Sequence, residues 1–253
     1  MSSAGNAGVL AGMALKADED VGAPTNGAPS LGARGWYSRG YLPHVDSPQV
    51  LQSVTYRLAD SLPREKLEQL QEELRHLPET HRDLAKRKQI ETWLDAGMGG
   101  CALRHPKVAS FVQQSFLHFH GERYHLHAWC VMPNHVHVLL EPLIDLASIV
   151  QGWKSFTARW ILRNRAALGL EIPEAGPVWM REYWDRYIRD ENHYQTVTEY
   201  IHQNPVKADL CNRPEEWPWS SASVMMPADA YVPADVKTNA DEDVGAPRNL
   251  GRC

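Results

Sequence analysis

The chain is poor in the features that would place it in an oxidising compartment or in a membrane. Its 253 residues include 4 cysteines, Cys101, Cys130, Cys211 and Cys253, and no two form a C-x-x-C pair. That spacing argues against a zinc knuckle and against a disulfide framework. No apolar run reaches the roughly 18 residues a spanning helix requires. The opening "MSSAGNAGVLAGMALKADEDVGAP" has no basic region before its short, Ala/Gly-diluted apolar stretch, so it lacks the make-up of a signal peptide. A reduced, cytoplasmic protein with no membrane association is the expectation.

A basic excess is also missing, since the formal net charge is −5. Taken whole, that weighs against a nucleic-acid partner. The acids, however, concentrate at the ends. Residues 1–32 set Lys16 against Asp18, Glu19 and Asp20, and residues 227–253 set five acids against Lys237, Arg248 and Arg252. The interior is therefore near neutral, and a neutral fold can still carry a basic groove.

The same ends share an octapeptide, "ADEDVGAP", at Ala17–Pro24 and again at Ala240–Pro247. Both copies sit in Ala/Gly/Pro-rich sequence with too little apolar surface to offset chain entropy. Disordered tails are predicted over residues 1–34 and 227–253, around one folded domain over 35–226.

Within that domain "LQSVTYRLA" (Leu51–Ala59) alternates and reads as a strand. A helix follows, with Ser61 as its cap, Pro63 in its first turn, and Leu67, Leu70, Leu74 and Leu77 at helical spacing. Further helices are predicted at about 82–96 and 106–120, stopping at Gly97 and Gly121. Two extended runs, Tyr124–Met132 and His135–Glu141, flank Pro133-Asn134 as a hairpin. A long helix over about 146–168 ends at Gly169. After a Pro/Gly loop, a last helix begins near Asp190 and stops before Pro205. Strand, helices, hairpin, helix, helix is an α+β plan with a mostly antiparallel sheet.

Three segments carry residues suited to chemistry. In "MPNHVHVLLEP", His135 and His137 are two apart in a strand and share a face, where their rings could hold one metal ion or one phosphate. Two surface histidines are the alternative, and "YHLHAW" offers a second such pair, His125 and His127, which spacing alone cannot separate from the first. In "VTEYIHQNPVK", Tyr200 and Asn204 share a helix face; the hydroxyl is a possible nucleophile and the amide oxygen a possible ligand, or the two are simply a boundary tyrosine and a helix-end cap. Finally, Lys154, Arg159, Arg163, Arg186 and Arg189 lie among Trp and Tyr residues, a mixture suited to single-stranded nucleic acid or to an ordinary aromatic core.

Taken in order, "VMPNHVHVLLEP", "WKSFTAR", "VWMREYWDRYIRDE" and "YIHQNPVKADL" resemble the REP-associated tyrosine transposases, relatives of the small single-tyrosine HUH transposases of bacterial insertion sequences. The resemblance covers roughly 39–221, with a helical insertion at about 62–100. It implies a ferredoxin-like or RRM-like antiparallel sheet covered by helices, of the HUH endonuclease type. It selects His135 and His137 over His125 and His127 as metal ligands. It implies Tyr200 as nucleophile and Asn204 as third ligand, a position where many relatives carry Gln. The implied activity is cleavage and joining of single-stranded DNA beside REP-type palindromic hairpins, with Mg²⁺ or Mn²⁺ as cofactor, in a monomer or homodimer. Lys154, Arg159, Arg163, Arg186 and Arg189 are the expected phosphate contacts. A non-catalytic nucleic-acid-binding protein on the same fold, or a hydrolase using metal-bound water, are the competing readings.

Overall fold

The structure, a computed structural model, describes residues 50–173 and 175–223 together with the backbone of two short strands. These strands, β1 (Gly35–Ser38) and β2 (Pro43–Asp46), pair antiparallel from Gly35 opposite Asp46 to Ser38 opposite Pro43. The predicted tails and their shared octapeptide lie outside the described residues.

Strand β3 (Gln52–Arg57) is followed by helices α1 (Arg64–Glu73), α2 (Glu79–Asp95) and α3 (Pro106–Leu117). The hairpin β4 (Tyr124–Val131) and β5 (His135–Pro142) comes next, then α4 (Leu146–Asn164), β6 (Trp184–Tyr187) and α5 (Glu191–Lys207). All pairings in the sheet β4-β5-β3-β6 are antiparallel. With β3, β4, β5 and β6 as the first to fourth strands, the chain runs βαββαβ and the sheet order is 2-3-1-4. This is the expected ferredoxin-like arrangement.

The register sorts the side chains onto two faces. Val54 lies opposite Val138, and Tyr56 opposite Val136. All four are buried, on the face that packs against α3 and α4. Phe116 of α3 and Trp153 of α4 meet edge to face at 5.0 Å. Tyr124 of β4 joins them, accepting from Trp153 Nε1 (2.9 Å) and donating to the Phe116 carbonyl (2.8 Å). The other face carries Arg57 opposite His135, Thr55 opposite His137, and Trp184 opposite Thr55. Helix α5 covers that face near β4 and β5. The α1–α2 hairpin covers it near β6, through a small core of its own: Leu62, Leu70, Ile90 and Leu94, with Trp184 packed against them.

Several expectations are corrected. Ser61 does not cap α1; its buried hydroxyl accepts from Arg57 Nη1 (2.8 Å) and donates to the Leu58 carbonyl (2.7 Å), leaving Pro63 at the cap position. Helix α4 stops at Asn164 rather than Leu168. Helix α5 continues through Pro205 to Lys207. Proline removes one ladder bond, but Asn204 and Pro205 are both buried, and the Ala208 N–H still reaches the Asn204 carbonyl (3.0 Å). Strand β6 has no counterpart among the sequence-predicted elements.

Candidate active site

The MPN turn and β5 place the two histidines. His135 and His137 are 1% and 2% exposed, and their Nε2 atoms face one another at 2.9 Å. Each Nδ1 is held from behind. His135 Nδ1 lies 2.7 Å from Asn134 Oδ1. The Asn134 amide nitrogen donates to the Met98 carbonyl (3.0 Å), so its oxygen is the atom that faces the ring. An amide oxygen only accepts, so His135 carries its proton on Nδ1 and presents a bare Nε2. His137 Nδ1 lies 2.8 Å from the Thr55 hydroxyl, which can donate or accept. With Thr55 accepting, both Nε2 lone pairs point into one spot, the donor arrangement a cation needs.

Helix α5 brings Tyr200 to the same spot. Its ring sits edge-on to His137, centroids 5.4 Å apart. One turn on, Asn204 is fully buried and neither of its side-chain polar atoms has a hydrogen-bond partner. A buried amide left unpaired is costly, and an ion or substrate phosphate would satisfy it. Lys207, a further turn along, holds its ammonium 4.9 Å from the Tyr200 ring centroid.

Three groups that sequence reading did not single out complete the surroundings. Arg57 is buried beneath His135 and bonded to Ser61. Arg87 of α2 lies 5.8 Å from the Trp184 ring and pairs with Glu91 at 3.0 Å. Asp95, the last residue of α2, has its Oδ1 3.5 Å from His135 Nε2. Asp95, His135 and His137 can each offer one ligand atom, all within 4.8 Å of one another. The signal for Asp95 in the sequence is slight, an acid just before the Gly97 stop of a helix.

The electrostatics favour neutral histidines. Burial takes the His137 ring down to about 3, with the positive charges of Arg87 and Lys207 adding to the effect. Burial, then His137 and Arg57, hold His135 well below its ordinary value. Burial and the neighbouring Glu91 raise the Asp95 carboxyl to about 7, against the pull of Lys207. Burial also pushes the Tyr200 hydroxyl up, and Glu91 and Asp95 push the same way. The Asn204 side chain, which sits beside the hydroxyl without reaching hydrogen-bond geometry, and then Arg87 pull it down. Neutral imidazoles are the ligand form. The donor set, two ring nitrogens with an amide and a carboxylate close by, therefore fits a divalent ion.

His125 and His127 have no such convergence. His125 is exposed, and a bulge between Leu126 and Ala128 takes His127 out of the ladder. Its Nδ1 lies 3.4 Å from the Tyr194 hydroxyl.

Among the expected phosphate contacts, Arg159, Arg163 and Arg189 are exposed and Arg186 is half-buried in β6. Lys154 is corrected. It is 8% exposed, and its ammonium donates to the carbonyls of Met180, Arg181 and Glu182 at 3.1, 3.2 and 3.2 Å. It pins the segment leading into β6 against α4, and burial lowers it to about 8 against the pull of Glu182.

Residues 107–204, the segment holding the histidine pair, Tyr200 and Asn204, match the family described as "Transposase IS200 like". A Haemophilus influenzae protein described as a REP-associated tyrosine transposase is 31% identical over 124 residues, 45% of this chain and 67% of that one. The REP-associated tyrosine transposase of Escherichia coli is 27% identical over 101 residues, 39% of this chain and 54% of that one. The matches thus span two thirds of the first relative's length and about half of the second's. The chain belongs to the REP-associated tyrosine transposase family. A solved REP-associated tyrosine transposase bound to a REP hairpin aligns with 82% of this chain and 97% of its own, at 20% identity and a TM-score of 0.38. Among the described residues, no helix is long and apolar enough to cross a membrane.

Proposed function

We propose that this protein cuts and rejoins single-stranded DNA beside REP-type palindromic hairpins, with Tyr200 as nucleophile and His135, His137 and Asn204 as ligands of Mg²⁺ or Mn²⁺. The observation that carries this reading is the convergence of two buried Nε2 atoms, 2.9 Å apart, beside a tyrosine whose ring centroid lies 5.4 Å from that of His137. A pair of merely structural histidines would not face a nucleophile.

The Tyr200 hydroxyl gives up its proton as its oxygen attacks phosphorus, forming a phosphotyrosine at the 5′ end of the downstream strand. The P–O3′ bond breaks, and the departing 3′ oxygen takes up a proton to leave a free hydroxyl. The bound ion supplies Lewis-acid polarisation of the phosphate. His135 and His137 are pre-set for their part because Asn134 and Thr55 fix their rings. Lys207, beside the Tyr200 ring, offers positive charge to the developing phenolate, whose formation burial opposes. The covalent link conserves the phosphodiester bond energy, so a second DNA end can be joined without a nucleotide cofactor. Arg159, Arg163, Arg186 and Arg189 are the phosphate contacts in this reading, so binding should weaken steeply with salt.

The test is a labelled single-stranded hairpin incubated with the protein and Mn²⁺, then denatured. A covalent protein–DNA adduct that disappears in Tyr200→Phe is the expected result. Cleavage that persists without an adduct in that variant would replace the reading with a hydrolase using bound water. Binding with no cleavage by the unaltered protein would replace it with a regulator.

A further inference from the structure

We propose that Asp95, delivered by the α1–α2 hairpin, is a further protein ligand of the ion held by His135 and His137, so that the ion ties this hairpin to the catalytic sheet. The inference rests on the reading of His135 and His137 as metal ligands. It adds an oxygen donor from an element 40 residues upstream of the histidines.

Four observations converge on it. First, Mg²⁺ and Mn²⁺ favour oxygen donors and need more ligands than two imidazoles supply. Second, Asp95 Oδ1 is 3.5 Å from His135 Nε2, and the three ligand atoms fall within 4.8 Å of one another. Third, that oxygen is buried without a hydrogen-bond partner. A carboxylate that served only to orient His135 would close to hydrogen-bond distance, and it would address Nδ1, which Asn134 already holds. Asp95 instead faces the Nε2 side, where a ligand would sit.

Fourth, the position of Asp95 is enforced from both directions. Leu94, its neighbour, is 1% exposed in the small core of the hairpin. After Asp95 the chain turns at Gly97, at φ 68, and is then clamped. Met98 accepts from Asn134, and the Gly100 N–H donates to the Asp60 carbonyl (2.9 Å). Gly99 passes so close to Ser61 that an added Cβ would lie 2.3 Å from the Ser61 carbonyl oxygen. The Asn134 side chain thus bonds to His135 with its oxygen and to the strap carrying Asp95 with its nitrogen. One residue registers the histidine and the carboxylate together.

The test titrates Mn²⁺ into the full chain without DNA, by calorimetry, and follows amide hydrogen exchange across residues 90–98. The expected result is that the unaltered protein binds Mn²⁺, that Asp95→Asn weakens binding by about tenfold or more, and that Mn²⁺ slows exchange in 90–98. The exchange measurement needs no variant and keeps the inference testable should Asp95→Asn fold poorly. Unchanged Mn²⁺ affinity in a folded Asp95→Asn, or no slowing of exchange on Mn²⁺ binding, would overturn it. If Asn204→Ala or His135→Ala loses Mn²⁺ while Asp95→Asn does not, the Asp95 assignment falls and the wider reading stands. If the unaltered protein takes up no Mn²⁺, both fall.

Discussion

His125–His127 in β4 and His135–His137 in β5 share one spacing and lie in neighbouring strands of one sheet, with different surroundings. The β5 pair is in an interior strand, paired on both sides. Its ladder is unbroken from His135 through Leu140 against β3, so the two-residue period holds and both rings project to one face. The β4 pair is in an edge strand, where a bulge interrupts the period at His127. Burial separates them as well. The β5 rings are buried with Nδ1 occupied and Nε2 turned inward, whereas His125 is open to solvent. An H-x-H spacing is therefore necessary for convergent imidazoles but insufficient. The neighbours behind each ring, Asn134 and Thr55, turn spacing into a site.

The comparison breaks most sharply under alanine substitution. His135→Ala or His137→Ala should lower covalent adduct formation by about a thousandfold, since several kcal/mol of transition-state stabilisation leaves with the ion. His125→Ala and His127→Ala should stay within about twofold. Single-turnover adduct assays on the four variants measure this, and equal losses in both pairs would erase the distinction. A smaller effect is expected from the residues behind the rings. Asn134→Ala and Thr55→Val remove no proposed metal ligand, yet each should weaken Mn²⁺ binding by about 10- to 100-fold. Calorimetry on the folded variants checks it, and unchanged affinities would mean the rings need no orienting partner.

The smallest effect is one of pH on stability. His137, with its folded value near 3 against an ordinary 6.5, stays neutral in the fold while the unfolded chain gains a proton. Its contribution is therefore fully present above about 6.5 and is lost as pH falls from there toward 3. Urea unfolding of the metal-free protein across that range should show stability falling with acid. His137→Gln should flatten the slope.

Much of this was legible in the sequence where short-range rules govern. The hairpin around Pro133-Asn134 and the period of β5 are local, and so is the helical spacing that puts Tyr200 and Asn204 on one face. The illegible parts are those that tertiary packing decides. Strand β6 is four residues on an edge and has little pattern of its own. Pro205 is a helix breaker by local rules, but burial of its neighbours carries α5 past it. Lys154 reads as a surface cation until the fold buries it under three carbonyls. Asp95 ends a helix far upstream of the histidines, and only the clamp from Asn134 to Met98 shows that this helix end lies beside them.

The central claim is that the β5 pair, and not the β4 pair, holds a divalent ion beside Tyr200. Pulsed electron paramagnetic resonance of the Mn²⁺-loaded protein reads this directly through the coupling of imidazole nitrogens to the metal. The account predicts two histidine nitrogens coupled to Mn²⁺, one of them lost in His135→Ala and both retained in His125→Ala. A spectrum with no nitrogen coupling, or one that changes with His125 and not with His135, would contradict it.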